Sequence, residues 1–123
     1  MSVLSPDATI DPFPGTRFTP VATPRRGTSR TSMWLVEIDP GTPPAPHQVT
    51  NEEIFFVLDG AASVVVAGEP ATAGPGQAVV IPADTDFAIG NGGSGSLRML
   101  CVLPVGGQAR TSDGATFTPP WAL

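Results

Sequence analysis

Apolar residues fall along the chain in short runs, and most runs end on a proline or a glycine. The runs are rich in Val, Ile, Leu and Phe, which suits strands. They predict strands near 31–38, 53–59, 62–67, 77–81 and 97–103, with shorter ones near 15–22, 47–50 and 86–90. Turn signals separate them: Asp39-Pro40-Gly41, Asp59-Gly60, Gly74-Pro75-Gly76 and Asn91-Gly92-Gly93. Fifteen prolines and fourteen glycines leave little room for a long helix. An interior proline alone costs a helix about 3 kcal/mol. Many short strands at regular spacing predict an all-β sandwich or barrel.

The run Glu53–Asp59 reads EIFFVLD, and both of its alternating faces are apolar beyond the first residue. A strand with one wet face should alternate with polar residues. The outer face is therefore expected to be covered, by another layer or by a second copy of the chain. Residues 1–14 and 108–123 differ from the rest. They are rich in Pro, Thr, Ser and Asp, with isolated aromatics at Phe13, Phe117 and Trp121. They read as arms that lie on the barrel or on a partner subunit, around a core of about 31–104. The length of 123 residues suits one domain, 1–123. A chain this long buries roughly 65% of its unfolded surface, enough for a core without staples.

Charge then removes several classes of function. Eleven acidic residues against six arginines give a net charge of −5, and there is no lysine. A nucleic-acid binder needs a positive surface to displace counterions from phosphate, and the only basic cluster is Arg25–Arg26. Arginine in place of lysine, with abundant Ala, Gly and Pro, is the composition of a GC-rich bacterial genome. The single cysteine, Cys101, allows neither an internal disulfide nor a cysteine-based zinc site. In the apolar run LRMLCVL it reads as a small buried hydrophobe. The start, MSVLSPDATIDPFPG, shows no basic and apolar leader, and no apolar run approaches the ~20 residues of a membrane span. A soluble cytoplasmic protein is the expectation.

Two segments carry the candidate chemistry. The first, Gly41 to Gly60, is GTPPAPHQVTNEEIFFVLDG; the second, Gly76 to Asn91, is GQAVVIPADTDFAIGN. The first resembles the first cupin motif, G-x5-H-x-H-x3–4-E-x6-G, with Gly41, His47, Glu53 and Gly60 in place. The second resembles the second cupin motif, G-x5-P-x-G-x2-H-x3-N, with Gly76, Pro82 and Asn91 in place. Asp84 stands where that family has glycine, a turn position where a local hydrogen bond is the usual role. The resemblance covers about 31–104 and implies a double-stranded β-helix, the jelly-roll barrel of the cupins. It also favours homodimers.

In the family, two histidines, a glutamate and a third histidine converge on a transition metal, a donor set suited to Fe, Mn, Ni, Cu or Zn. By position, Val49 replaces the second histidine here and Phe87 the third. Only His47 and Glu53 remain, and His47 is the only histidine in the chain. The expectation is no resident metal, with weak divalent-metal binding at His47 and Glu53 as the alternative. Without an ion, His47 and Glu53 could reach each other and work as an acid–base pair. An idle histidine at the barrel mouth beside a relic carboxylate is the competing reading. Val49, Phe87, Phe55, Trp34 and Met33 are candidate pocket residues, although parity sends Met33 and Trp34 to opposite faces. The leading functional reading is a cupin that binds a small molecule, with metal-independent isomerase, epimerase, dehydratase or cyclase chemistry. A non-catalytic binding or sensing domain, and a metal-dependent oxygenase with a reduced ligand set, are the alternatives.

Overall fold

The computed structural model describes residues 1–123. Twelve strands follow one another: β1 (Ile10–Phe13), β2 (Thr16–Ala22), β3 (Thr31–Ile38), β4 (Gln48–Val49), β5 (Glu53–Asp59), β6 (Ala62–Val66), β7 (Glu69–Ala73), β8 (Ala78–Ile81), β9 (Phe87–Asn91), β10 (Leu97–Pro104), β11 (Ala109–Arg110) and β12 (Thr116–Phe117). The only helical pieces are 3-10 turns at Pro24–Arg26 and Pro120–Ala122. No helix is long and apolar enough to cross a membrane. The expected strands lie where the apolar runs place them. β1, β7, β11 and β12 carry no apolar run of their own and were not expected.

One layer is a six-stranded sheet in the order β1-β2-β3-β10-β5-β8. The other consists of two three-stranded pieces, β12-β11-β4 and β7-β6-β9. A single antiparallel bridge between His47 and Phe87 joins β4's approach to β9. The result is an all-β jelly-roll barrel. Strand alternation builds its core. Ser32, Trp34, Val36 and Ile38 of β3 turn inward, as do Leu97, Met99, Cys101 and Leu103 of β10. The opposite layer contributes Val49, Ala62, Val64 and Phe87. Fully burying an aliphatic or Met side chain of this kind contributes about 1.5–3 kcal/mol.

Two motif positions have structural reasons. Gly60 ends β5 at φ +86°, and a Cβ there would sit 2.5 Å from the Ser96 carbonyl oxygen. No other residue fits that approach. The Asn91 side chain donates to the Ile38 and Gly95 carbonyls at 2.9 and 2.7 Å and accepts from the Gly93 N–H at 2.8 Å. It thereby ties the end of β9 to β3.

Both terminal segments pack on the barrel of their own chain. Trp121 lies face to face on Phe18, with centroids 3.7 Å apart and planes 6° apart, and Phe13 meets the pair edge-on. The buried Ser32 hydroxyl donates to the Ala122 carbonyl at 2.7 Å. The outer face of β5 is different. Phe56 and Leu58 are 39% and 40% exposed, so no layer of this chain covers them.

Candidate functional site

The proline-rich stretch Pro43–Pro46 leads to His47 without regular secondary structure. The His47 backbone exchanges two hydrogen bonds with Phe87, each 3.0 Å. Its imidazole lies over the Phe87 ring at 4.4 Å. Nδ1 is 2.8 Å from the Ala45 carbonyl oxygen. A carbonyl can only accept, so Nδ1 carries the proton and the neutral ring keeps its lone pair on Nε2.

Glu53 opens β5 on the inward parity, followed by Phe55 and Val57. It is 5% exposed and accepts no hydrogen bond. Burial pushes its carboxyl from the ordinary 4.5 up to about 8, because an ion without a partner loses its hydration and gains nothing. Cys101 lies near it on the central strand. Burial, then the Glu53 charge, holds that thiol well above its usual range. The thiol is a packed hydrophobe, as its apolar run implied.

Val49 and Phe87 point inward beside these two groups, 2% and 3% exposed. His47, Val49, Glu53 and Phe87 thus line one cavity. Phe55 and Trp34 line the same space. Met33 does not: it lies on the outer face, because Ser32 and Trp34 on either side of it turn inward. The expected direct contact between His47 and Glu53 is also missing. No ion pair or hydrogen bond joins them, and the imidazole is held by Ala45 instead. Asp84 departs from expectation as well. It takes the left-handed conformation at φ +55° that the family's glycine would supply. Its carboxylate reaches across to the Arg110 guanidinium at 2.8 Å rather than bonding locally.

These walls enclose a cavity of about 530 Å3. Phe13, Phe18, Phe117 and Trp121 line it too, from both terminal segments. Phe13, Phe117 and Trp121 stand out in the sequence as isolated aromatics but carry no local tie to the site, and Phe18 carries no signal at all. Exposed Phe13 and Phe117 mark where the cavity reaches the surface. A second, polar cavity of about 410 Å3 lies on the other side of His47, among Gln48, Asp86, Arg110 and Thr111. There Arg110 donates to Gln48 at 3.0 Å and Gln48 donates to Asp86 at 2.8 Å. His47 stands between a polar space and an apolar one.

The donor set does not fit the family's transition metal. One imidazole and one carboxylate remain, and no group of three His, Cys, Asp or Glu side chains gathers anywhere in the chain. Protein metal centres that do chemistry use three such ligands as a rule.

A family model described as "Cupin domain" matches residues 34–103. No curated protein matches the sequence. Among solved structures, the chain is similar to the polyketide cyclase RemF from Streptomyces resistomycificus, with 27% identity and a TM-score of 0.65. That match covers 74% of this chain and 66% of the cyclase, just under two thirds of its length. KdgF from Halomonas sp. gives 28% identity and a TM-score of 0.64, covering 78% of this chain and 86% of that one. Salicylate 1,2-dioxygenase from Pseudoaminobacter salicylatoxidans, in adducts with gentisate, gives 19% identity and a TM-score of 0.65, covering 75% of this chain and 25% of that one. At that identity the likeness is one of fold alone.

Proposed function

The chain belongs to the cupin domain family, and on that footing we propose that it binds a small carbonyl compound and moves protons on it without a resident metal. The observation that carries this reading is Glu53: a buried carboxyl, without a hydrogen-bond partner, on the wall of a cavity it shares with His47. Below about pH 8 the carboxyl keeps its proton and can donate it to a substrate oxygen. His47 has the complementary form, with Nδ1–H fixed on Ala45 and Nε2 left to accept. A protonated carboxyl and an imidazole nitrogen free to accept can serve as an acid and a base.

In the proposed step, Nε2 takes a proton from the carbon next to the carbonyl. The C–H electron pair moves into a C=C bond, the C=O π pair moves to oxygen, and Glu53 supplies that oxygen with a proton. The enol then takes a proton back at another carbon, adds to a second carbonyl, or expels a hydroxyl as water. These outcomes are isomerisation, cyclisation and dehydration. Positioned proton transfer of this kind accelerates reactions by about 10²–10⁴. The likeness to a polyketide cyclase supports the cyclisation branch. The non-catalytic reading needs the same cavity and predicts no turnover.

The test uses exchange of the α-protons of 2-tetralone in D2O, followed by NMR, together with mass-spectrometric metal analysis. The expected result is catalysed exchange that a chelator leaves unchanged, with well under about 0.1 transition metal per chain. About one metal per chain, with exchange lost on chelation, overturns the reading. So does exchange no faster than in buffer.

The exposed outer face of the six-stranded sheet supports a homodimer as the working state. Ile54, Phe56 and Leu58 on β5 lie beside Leu100 and Val102 of β10, and Leu35 follows on β3. Charge enters only at the end, with Arg98 opposite Glu37. An apolar sheet face free of charge in its middle suits a second copy of itself, and permanent interfaces of this kind often bury roughly 2,000 Å² or more. Light scattering at micromolar concentration is expected to give twice the 12.6 kDa chain mass. Phe56→Arg, which sets a charge in the patch, is expected to return it to one chain. A wild-type protein of single-chain mass rules the dimer out.

A further inference from the structure

The chain has six phenylalanines, two tryptophans and no tyrosine. Seven of these eight aromatic residues line the one apolar cavity; Phe56, on the outer sheet face, is the exception. Away from the cavity the core is aliphatic, with Val57, Ala62, Val64 and Leu97 fully buried between the layers. The aromatics come from both layers and both terminal segments; Phe13 meets Phe18 and Trp121 edge-on and Phe55 is tilted against Phe87, and all of them border the same empty volume. Only Phe18 and Trp121 stack. Of the charged side chains, Glu53 alone reaches the cavity wall, and none of the six arginines does.

Resting on the reading of this cavity as a small-molecule site, we propose that its ligand is an uncharged, flat aromatic molecule of about two or three fused rings, with a carbonyl or phenol oxygen at one edge. Ring faces and edges match an aromatic wall better than an aliphatic skeleton of equal size does. An anionic ligand would bury its charge with no arginine to pair it. A cationic ligand would need the buried Glu53 carboxyl, the only acidic side chain in the lining, to ionise at a desolvation cost. The polar edge of the ligand turns toward Glu53 and His47, and the ring body toward Phe18, Phe117 and Trp121. The volume, about 530 Å3, is within the span of roughly 300–1,000 Å3 seen for small-molecule sites.

The experiment is isothermal titration calorimetry at pH 7 with four probes on one skeleton: 2-naphthol, 2-naphthoate, 2-naphthylmethylammonium and decahydro-2-naphthol. 2-Naphthol is expected to bind with a Kd below about 1 mM. Both charged analogues are expected to bind at least about tenfold more weakly, and the saturated alcohol about threefold or more. Phe117→Ala, at the 38%-exposed rim of the cavity, is expected to keep the far-ultraviolet circular dichroism of the wild type and to weaken 2-naphthol about threefold or more. A charged or saturated analogue that binds as tightly as 2-naphthol overturns the proposal. So does no 2-naphthol binding, or binding that Phe117→Ala leaves unchanged. These arms read binding alone. A protein that binds 2-naphthol with this selectivity but does not exchange 2-tetralone supports the ligand class and sinks the catalytic reading.

Discussion

Between pH 5 and pH 8.5 the protein is expected to lose about 4 kcal/mol of folding stability that the Glu53→Gln variant keeps. In the unfolded chain the Glu53 carboxyl titrates near its ordinary 4.5, and in the fold near 8. Between those values the unfolded state has released the proton and the folded state still holds it. Stability then falls as pH rises, by about 1.4 kcal/mol for each pH unit, and levels off above the folded value. This is opposite to the usual carboxylate. Asp39, held low by its hydrogen bond to Arg17, and Asp113, held low by its hydrogen bond from Thr111, follow the usual pattern, and their contributions fade only in acid. The stability maximum is therefore displaced to the acid side of neutrality. Glutamine fills the same volume with no charge to bury. Urea unfolding of both proteins across this range checks the difference, and parallel curves would show that Glu53 is solvated in the fold.

His47→Gln and Glu53→Gln are each expected to slow 2-tetralone exchange by about 10²–10⁴, and the double variant by little more than either one. The two groups touch different ends of one proton transfer rather than each other. Taking away the base leaves the acid nothing to assist, and the reverse holds as well. Wild-type exchange is further expected to fall as pH rises through about 8, where Glu53 gives up the proton it must donate. The residual rate of Glu53→Gln lacks that fall. Far-ultraviolet circular dichroism is expected to be unchanged in both variants, which separates a lost chemical step from a lost fold. If Glu53→Gln exchanges at full rate with the same pH profile while His47→Gln does not, the carboxyl only shapes the cavity.

The strands that carry the site were legible because their signals are local. β3, β5 and β10 are apolar runs bounded by turn or breaker residues, and the spacing from Gly41 to Gly60 matches the motif that sets His47, Val49 and Glu53 on one side. β7 was invisible for the same reason: EPATA is polar and exposed apart from Ala73, and only pairing with β6 makes it a strand. β11 and β12 are two residues each, too short for any period to show. What local pattern cannot hold is contact between distant segments. Phe18 and Trp121 lie near opposite ends of the chain and meet at 3.7 Å. Asp84 finds its partner in Arg110, not in its own turn. The His47–Glu53 contact failed because a nearer acceptor, the Ala45 carbonyl two residues back, takes the imidazole proton. Met33 was decided by parity against Trp34, which the sequence stated without choosing between them.

Because Trp34 and Trp121 both border the cavity and the chain has no tyrosine, nearly all of its intrinsic ultraviolet emission arises at one place. The Trp34 indole N–H is buried and has no acceptor, an environment that shifts emission to short wavelength, while Trp121 is stacked on Phe18. The far hairpin of β6 and β7 contains no aromatic residue and is optically silent. A fluorescence unfolding curve thus follows the opening of the cavity, whereas far-ultraviolet circular dichroism follows the sheets as a whole. Any separation between the two curves measures how independently the cavity opens from the barrel that holds it.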